Sequence, residues 1–391
     1  MALRPNPLLA QLLAASAGLV SSSAVPAEPV AADRSISYRH GDYDEDALAL
    51  TPVDGSDRRY RVRTEQFRLL TPAGEGARLS VDLTHEVMSG SSPWFSVPDA
   101  NGQPLQVMSG ASIHDRRSEL GVGYQRALAD DRELTVSASY SAEDDYHATA
   151  VGLEWSRPLS AAIELGLGAS FSHDRIDPTD AAEFGRIAQA TKNTWSASAG
   201  LSFILDRSSL LQAGLQLTRS SGFLSDPYKR FFAGDRVLNE ARPDQRLQGA
   251  LLLRYRHALI ERDAALHLDG RYSIDNWGVH SHTVEAHLYQ TLAQDWRVIP
   301  GFRYYTQSES SFYAPFASVG KLGRYYSSDY RLATGGGVSA SLDLRRQIGA
   351  WDWVIGIERH RATDALGFGS GNDPGRVSYT QIQAGFDFRF D

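Results

Sequence analysis

Two histidines, His280 and His282, stand two positions apart, and Arg254, Asp269, Arg271, Glu285, His287 and Arg303 surround them in sequence. On an extended strand, imidazoles at that spacing point the same way, as a two-histidine metal site requires. Ser281 lies between them and raises a second chemistry, a serine activated by histidine. The Arg, Asp and Glu side chains offer a third, fixed charges that select ions or bind a charged solute. Upstream, Asp226, Tyr228, Lys229 and Phe231 fall within Gly222–Arg246, where aromatic and charged groups are dense. Asp226-Pro227-Tyr228 is a turn signal, because Pro fixes φ and Asp can bond the backbone two residues on. Which chemistry is available depends on the elements that carry these residues.

From Arg262 to Gln307 apolar and polar residues alternate in three segments joined by short turns. Ala264, Leu266, Leu268, Tyr272 and Ile274 share one face, and His267, Asp269 and Arg271 the other. Val284, Ala286 and Leu288 then oppose Glu285 and His287, and Val298, Phe302 and Tyr304 oppose Arg297 and Arg303. Period-two alternation means strands with one face in oil and one in water. Three strands of about a dozen residues, with charge regularly on the polar face, predict a transmembrane β-barrel.

That fold decides the facings. The short joints predict Arg271 near Glu285, Asp269 near His287, Arg303 on the other side of Glu285, and Arg254 near His267 or Asp269. This network would line the lumen, either as a selectivity patch or as charges that satisfy each other across strands. His280 and His282 share the lipid-side parity of Val284, so a lumenal metal site would need a bulge, and Ser281 has the opposite parity. No catalytic carboxylate pair or nucleophile motif stands out, and the sequence predicts a non-enzymatic protein without a resident metal or cofactor. The loop Gly222–Arg246 could fold inward as a constriction, form an external docking surface, or pack on itself.

The remaining chain fits the same plan. There are 391 residues, no Cys and a net charge of -8. No apolar run is long enough for a transmembrane helix. The absence of Cys excludes a disulfide framework and Cys-ligated metal sites. The acidity is spread without the basic patch of a nucleic-acid binder. Residues 1–27 read as a secretory signal peptide: Arg4, the apolar stretch Leu8–Val20, and small residues at Ala24 and Ala27. Residues 34–391 then form one all-β, antiparallel up-and-down barrel of about sixteen strands.

Six connections are long: Asp42–Asp57, Gly90–Ser112, Arg175–Lys192, Gly222–Arg246, Ser308–Ser327 and Ala362–Gly375. They follow odd-numbered strands, whereas every joint after an even-numbered strand is short. Long loops on one rim and short turns on the other are the signature of an outer-membrane barrel, with the short turns periplasmic. The predicted last strands are Asp329–Asp343, Trp351–Arg361 and Arg376–Phe390, and Gly335-Gly336-Gly337 reads as a strand weakness or a site of close approach. Phe386, Phe388 and Phe390 alternate to one face, like the terminal strand signal read by the outer-membrane assembly machinery, although Asp391 follows the last Phe.

Several strings carry a family resemblance. They include Met108–Ile113 with Asp115-Arg116-Arg117, Glu143-Asp144-Asp145-Tyr146, Gly222–Lys229, Arg242–Arg246, Trp277-Gly278, Arg303–Gln307 and Asp329–Leu332. In order and together they resemble domain of unknown function 3570, a family of outer-membrane barrels. Where that pattern has Val-Ser-Gly-Ala-Ser-Pro-Trp, this chain reads Val87-Met88-Ser89-Gly90-Ser91-Ser92-Pro93-Trp94. The resemblance implies a barrel and no activity. It also implies a setting near a small lipoprotein and a periplasmic flavin transferase, hence a lipoprotein or flavinylated periplasmic partner and a link to envelope redox or metal handling. The expected role is a porin-like channel or transport conduit for small solutes or ions in the outer membrane of a Gram-negative bacterium. The alternatives are a non-conducting scaffold holding a periplasmic or surface partner, and an enzyme acting on outer-membrane lipid.

Overall fold

The computed structural model describes residues 34–48, 52–109, 113–179, 181–293, 295–368 and 373–390. The expected signal peptide, residues 110–112 of the family strings, and Asp391 lie outside them. In chain order the strands are β1 (Arg34–Glu45), β2 (Arg61–Pro72), β3 (Ala77–Gly90), β4 (Pro93–Pro98), β5 (Pro104–Met108), β6 (Ile113–Ala127) and β7 (Glu133–Ala142). They continue as β8 (Tyr146–Ser160), β9 (Ile163–Ile176), β10 (Ala190–Ile204), β11 (Ser209–Gly222), β12 (Arg230–Phe232), β13 (Val237–Asn239) and β14 (Gln245–Leu259). The last six are β15 (Ala264–Asp275), β16 (His280–Ala293), β17 (Trp296–Gln307), β18 (Gly335–Ile348), β19 (Trp351–Thr363) and β20 (Tyr379–Phe390).

Sixteen of these pair with their neighbours into one closed antiparallel barrel, and β4–β5 and β12–β13 are small hairpins outside it. The seam between β1 and β20 runs from Arg34↔Phe390 to Glu45↔Tyr379. Among the described residues, no helix is long and apolar enough to cross a membrane. Most barrel strands keep the predicted alternation, whereas toward the long-loop end the outer face of β1 and β2 carries His40, Asp42, Asp44, Arg61, Arg63 and Glu65. Leu215, Leu217, Leu253, Val284 and Phe302 are exposed on the outer wall, as a lipid-facing surface demands. Trp351, Trp353, Phe386 and Phe388 cluster on the same wall near the turn-side rim, with Trp351 and Phe388 ring centres 4.3 Å apart. Such aromatic girdles mark the interface levels of outer-membrane barrels.

The structure moves several expected boundaries and one register; the last strand, expected from Arg376, begins at Tyr379. β1 runs four residues into the expected loop Asp42–Asp57, because Asp42 and Asp44 pair with Arg63 and Arg61 of β2. The strand expected from Asp329 begins at Gly335, since Asp329 caps a 3-10 turn over Tyr330–Leu332 and accepts from the Arg331 backbone N–H. The meander register is also shifted by two. Asp275 Oδ1 accepts from the backbone N–H of Trp277 and Val279, and Gly278 takes φ +94°, which favours glycine. The turn therefore centres on Trp277 and pairs Ile274 with His280, so Asp269, not Arg271, lies opposite Glu285.

Buried apolar side chains gather at the long-loop end. Tyr43, Val62 and Met88 pack together on the inner face of β1–β3, with Tyr379 against them. Tyr60 and Tyr228 form a second cluster. The core thus sits in the outer mouth.

Candidate functional site

The predicted wall network faces the lumen with altered partners. Arg303 and Glu285 form an ion pair at 3.1 Å. Asp269 pairs with Arg256 at 2.7 Å, a residue sequence reasoning missed, and meets Arg254 only at 3.9 Å. Arg271 is opposite Thr283 rather than Glu285, and its nearest polar partner is Gln216 at 3.5 Å. His287 sits opposite His267 and Gly301. A Cβ at Gly301 would lie 2.6 Å from the His287 ring, so the absent side chain is what lets the imidazole lie there. Charges of both signs therefore line one wall and neutralise each other across strands.

His280 and His282 lie on the outer wall, as their parity requires. Tyr272 Oη is 3.2 Å from His280 Nδ1, and the Tyr272 ring packs on His282 at 4.7 Å. These two histidines serve the outer rim. A different set of potential ligands exists inside: Asp115, Glu143 and Asp145 place carboxylate oxygens within 4.8 Å of one another. Their chemistry suits a hard divalent cation, and Arg117 stands 3.9 Å from Glu143 as a competing counter-charge.

The loop residues converge most. Tyr228 N–H donates to Asp226 Oδ1 at 3.0 Å, the predicted Asx turn. That turn buries Tyr228 and Phe231, each 1% exposed, and aims Lys229 inward. Lys229 donates to the Pro93 carbonyl and lies over the Tyr330 ring. Arg59 lies over the same ring, pairs with Glu45 at 2.8 Å, and donates to the Gly375 carbonyl. Arg331 bonds Asp226 at 2.8 Å, and Arg242 bonds Asp329 at 2.6 Å and Glu240 at 2.8 Å. Ser327 donates to Glu240 at 2.6 Å. Arg186 donates to the Pro227 carbonyl, and Tyr228 Oη to Asp145. The expected alternatives for Gly222–Arg246 thus resolve to an inward-folded loop.

Barrel order makes this convergence a closure. Lys229 belongs to the loop between the ninth and tenth barrel strands, and Pro93 to the loop between the third and fourth. Tyr330 comes from between the thirteenth and fourteenth, and Arg59 from between the first and second. Loops rooted around the whole ring can touch only by crossing the opening. The long loops form a cap with its own buried network, three cations (Lys229, Arg242, Arg331) facing three carboxylates (Asp226, Glu240, Asp329).

Electrostatics in the cap follow from burial. Desolvation pushes the Glu240 carboxyl up and the Lys229 ammonium down. Burial alone would raise Asp329 as well, but Arg331, Arg242 and Lys229 hold it well below the usual carboxylate range. Asp373, buried where Tyr313 and the Gly375 N–H donate to it, is pushed up to about 6 by burial. Sequence reasoning found Asp226, Tyr228, Lys229 and Phe231 but missed Arg59, Glu240, Tyr330 and Arg331. Tyr330 and Arg331 were marked only by the family string Asp329–Leu332, and Arg59 and Glu240 only by the density of charge in polar loops.

Comparison with known proteins agrees with the fold. CdiB from Acinetobacter baumannii superposes with a TM-score of 0.51 at 9% identity, over 91% of this chain and 60% of that one. A bacterial polysaccharide outer membrane secretin gives 0.49 at 9% identity, over 92% and 98%. The siderophore receptor PirA from Pseudomonas aeruginosa gives 0.44 at 11% identity, over 92% and 62%. The chain therefore spans less than two thirds of the length of CdiB and of PirA. No curated protein matches the sequence. The family described as "Protein of unknown function (DUF3570)" matches residues 9–372, nearly the whole chain, and the protein belongs to it.

Proposed function

We propose that this protein is an outer-membrane conduit for small polar solutes or ions that rests shut at its outer mouth. The observation that supports it is the pairing of a charge-lined lumen with a loop cap rooted all around the rim. A sixteen-stranded barrel is wide enough for an aqueous channel. The wall pairs Glu285–Arg303 and Asp269–Arg256 would present both signs to a passing solute without trapping either. Passage requires the cap to part, so the resting protein is silent and conducts when the loops are released.

A second reading, a non-conducting scaffold, draws on the depth of burial of Tyr228, Phe231 and Met88 in the mouth. Solute efflux from vesicles separates the two. With Arg331 and Arg242 both replaced by Gln, the conduit releases small sugars faster than wild type. The scaffold stays tight after the same change, because its lumen remains filled.

A further inference from the structure

The outer wall carries a polar notch on β1 and β2. Along one row of paired residues the outward side chains read Ile357, Ile382, Asp42, Arg63 and Val87. The apolar members at each end are exposed, Ile357 and Ile382 at 49% and Val87 at 38%. The Asp–Arg pair between them therefore lies within the height of the lipid-facing belt. One row nearer the turn side, His40 and Glu65 sit between Ala384 and His85. One row farther out come Asp44 and Arg61.

These groups form a chain of contacts. Tyr38 donates to Glu65 at 2.6 Å, and His40 bridges Glu65 at 2.9 Å and Asp42 at 3.1 Å. Arg63 reaches Asp42 at 3.6 Å and Arg61 reaches Asp44 at 2.5 Å. Both arginines remain more than 60% exposed, at 65% and 63%, and Arg116 and Arg359 share the outer face on β6 and β19 to either side. Charge facing acyl chains is destabilising, most at the midplane and less toward the rim. A covering surface that supplies polar partners removes that penalty.

We propose that the notch is an interface for a second copy of this chain, packed across a two-fold axis. The notch is self-complementary in charge. The patch alternates Asp42, Asp44 and Glu65 with Arg61, Arg63 and His40, so its own copy, turned through a half rotation, offers opposite signs at matching spacing. An anionic lipid headgroup would favour a clear cationic excess, which Asp42, Asp44, Asp46 and Glu65 beside Arg61, Arg63, Arg116 and Arg359 do not provide.

Because the chain has no Cys, single cysteines report proximity without background. Phe67→Cys places a thiol on the outer face of β2 beside the notch, and Leu217→Cys places one on the outer face of β11. In native outer membrane under mild oxidation, Phe67→Cys is expected to give a covalent dimer and Leu217→Cys none. Reversing the notch charges with Arg61→Glu and Arg63→Glu should lower the dimer fraction more than about tenfold, with the folded barrel retained by heat-modifiable mobility. Equal cross-linking at both positions, or a monomer with phosphate-bearing lipid at the notch in native mass measurements, would overturn the proposal. Neither result bears on whether the lumen conducts.

Discussion

Arg242 and Asp329 are separated by 87 positions yet meet at 2.6 Å, with the Asp329 side chain fully removed from solvent. One comes from the loop after β11 and the other from the loop after β17, so the pair ties two sides of the rim together. Backbone bonds between Ala241 and Tyr326, at 3.0 and 2.8 Å, reinforce the tie.

Removing one partner of such a pair leaves a buried charge uncompensated, an effect of about 3–5 kcal/mol. Arg242→Ala is therefore expected to loosen the cap while the barrel, held by its closed ladder, stays folded. Hydrogen exchange should quicken in residues 223–244 and 308–334 and stay unchanged in β14–β17. Uniform exchange across wild type and variant would show that the pair does not hold the loops.

The Tyr228 hydroxyl donates to Asp145, joining the loop after β11 to the joint after β7. Tyr228→Phe keeps the ring in its buried site and removes only that donor. The expected loss is about 1–3 kcal/mol of cap stability, read as faster proteolysis near residues 225–245. An unaltered cleavage rate would mean that burial of the ring carries the contact alone.

Asp373 gives the cap a pH dependence. Its carboxyl titrates at about 6 in the folded cap against 3.8 when free, so the ionised form is disfavoured by folding. The closed cap is then favoured below pH 3.8 and loses stability as pH rises through about 6. Asp329, shifted the other way, is ionised in both states above about pH 5 and adds no slope there, while nearer pH 3.8 its contribution has the opposite sign. Asp373→Asn should flatten exchange at the Gly375 amide between pH 4 and 6, and an unchanged profile would place the dependence elsewhere.

On the wall, Glu285→Gln leaves the Arg303 guanidinium without its carboxylate. In a conducting form this should shift ion preference toward anions, and Arg303→Gln toward cations. Reversal potentials in a salt gradient read the sign directly. Equal preference in both variants would assign the pair a purely structural role.

The barrel was legible because one physical rule, apolar against polar every second residue, repeats in most strands, and loop lengths sort by rim. The seam, the outward Phe386, Phe388 and Phe390, and the outer-wall place of His280 and His282 all follow from parity. The cross-strand partner of Arg271 was not legible, because register depends on the Trp277-centred turn and a one-residue change of centre moves pairings by two. Arg59 and Glu240 could not be found either, and Arg331 stood out only as part of the family string Asp329–Leu332. Loop-to-loop contacts have no period, and polar loops look alike until the ring brings them together.

Single-channel conductance of the refolded protein in a planar bilayer tests the central claim most directly. The account predicts a silent wild-type barrel and stepwise openings when Arg242 and Arg331 are both replaced by Gln. Open wild-type pores would contradict closure by the cap, and silence of the double variant with its loops shown to be released would contradict a conducting lumen.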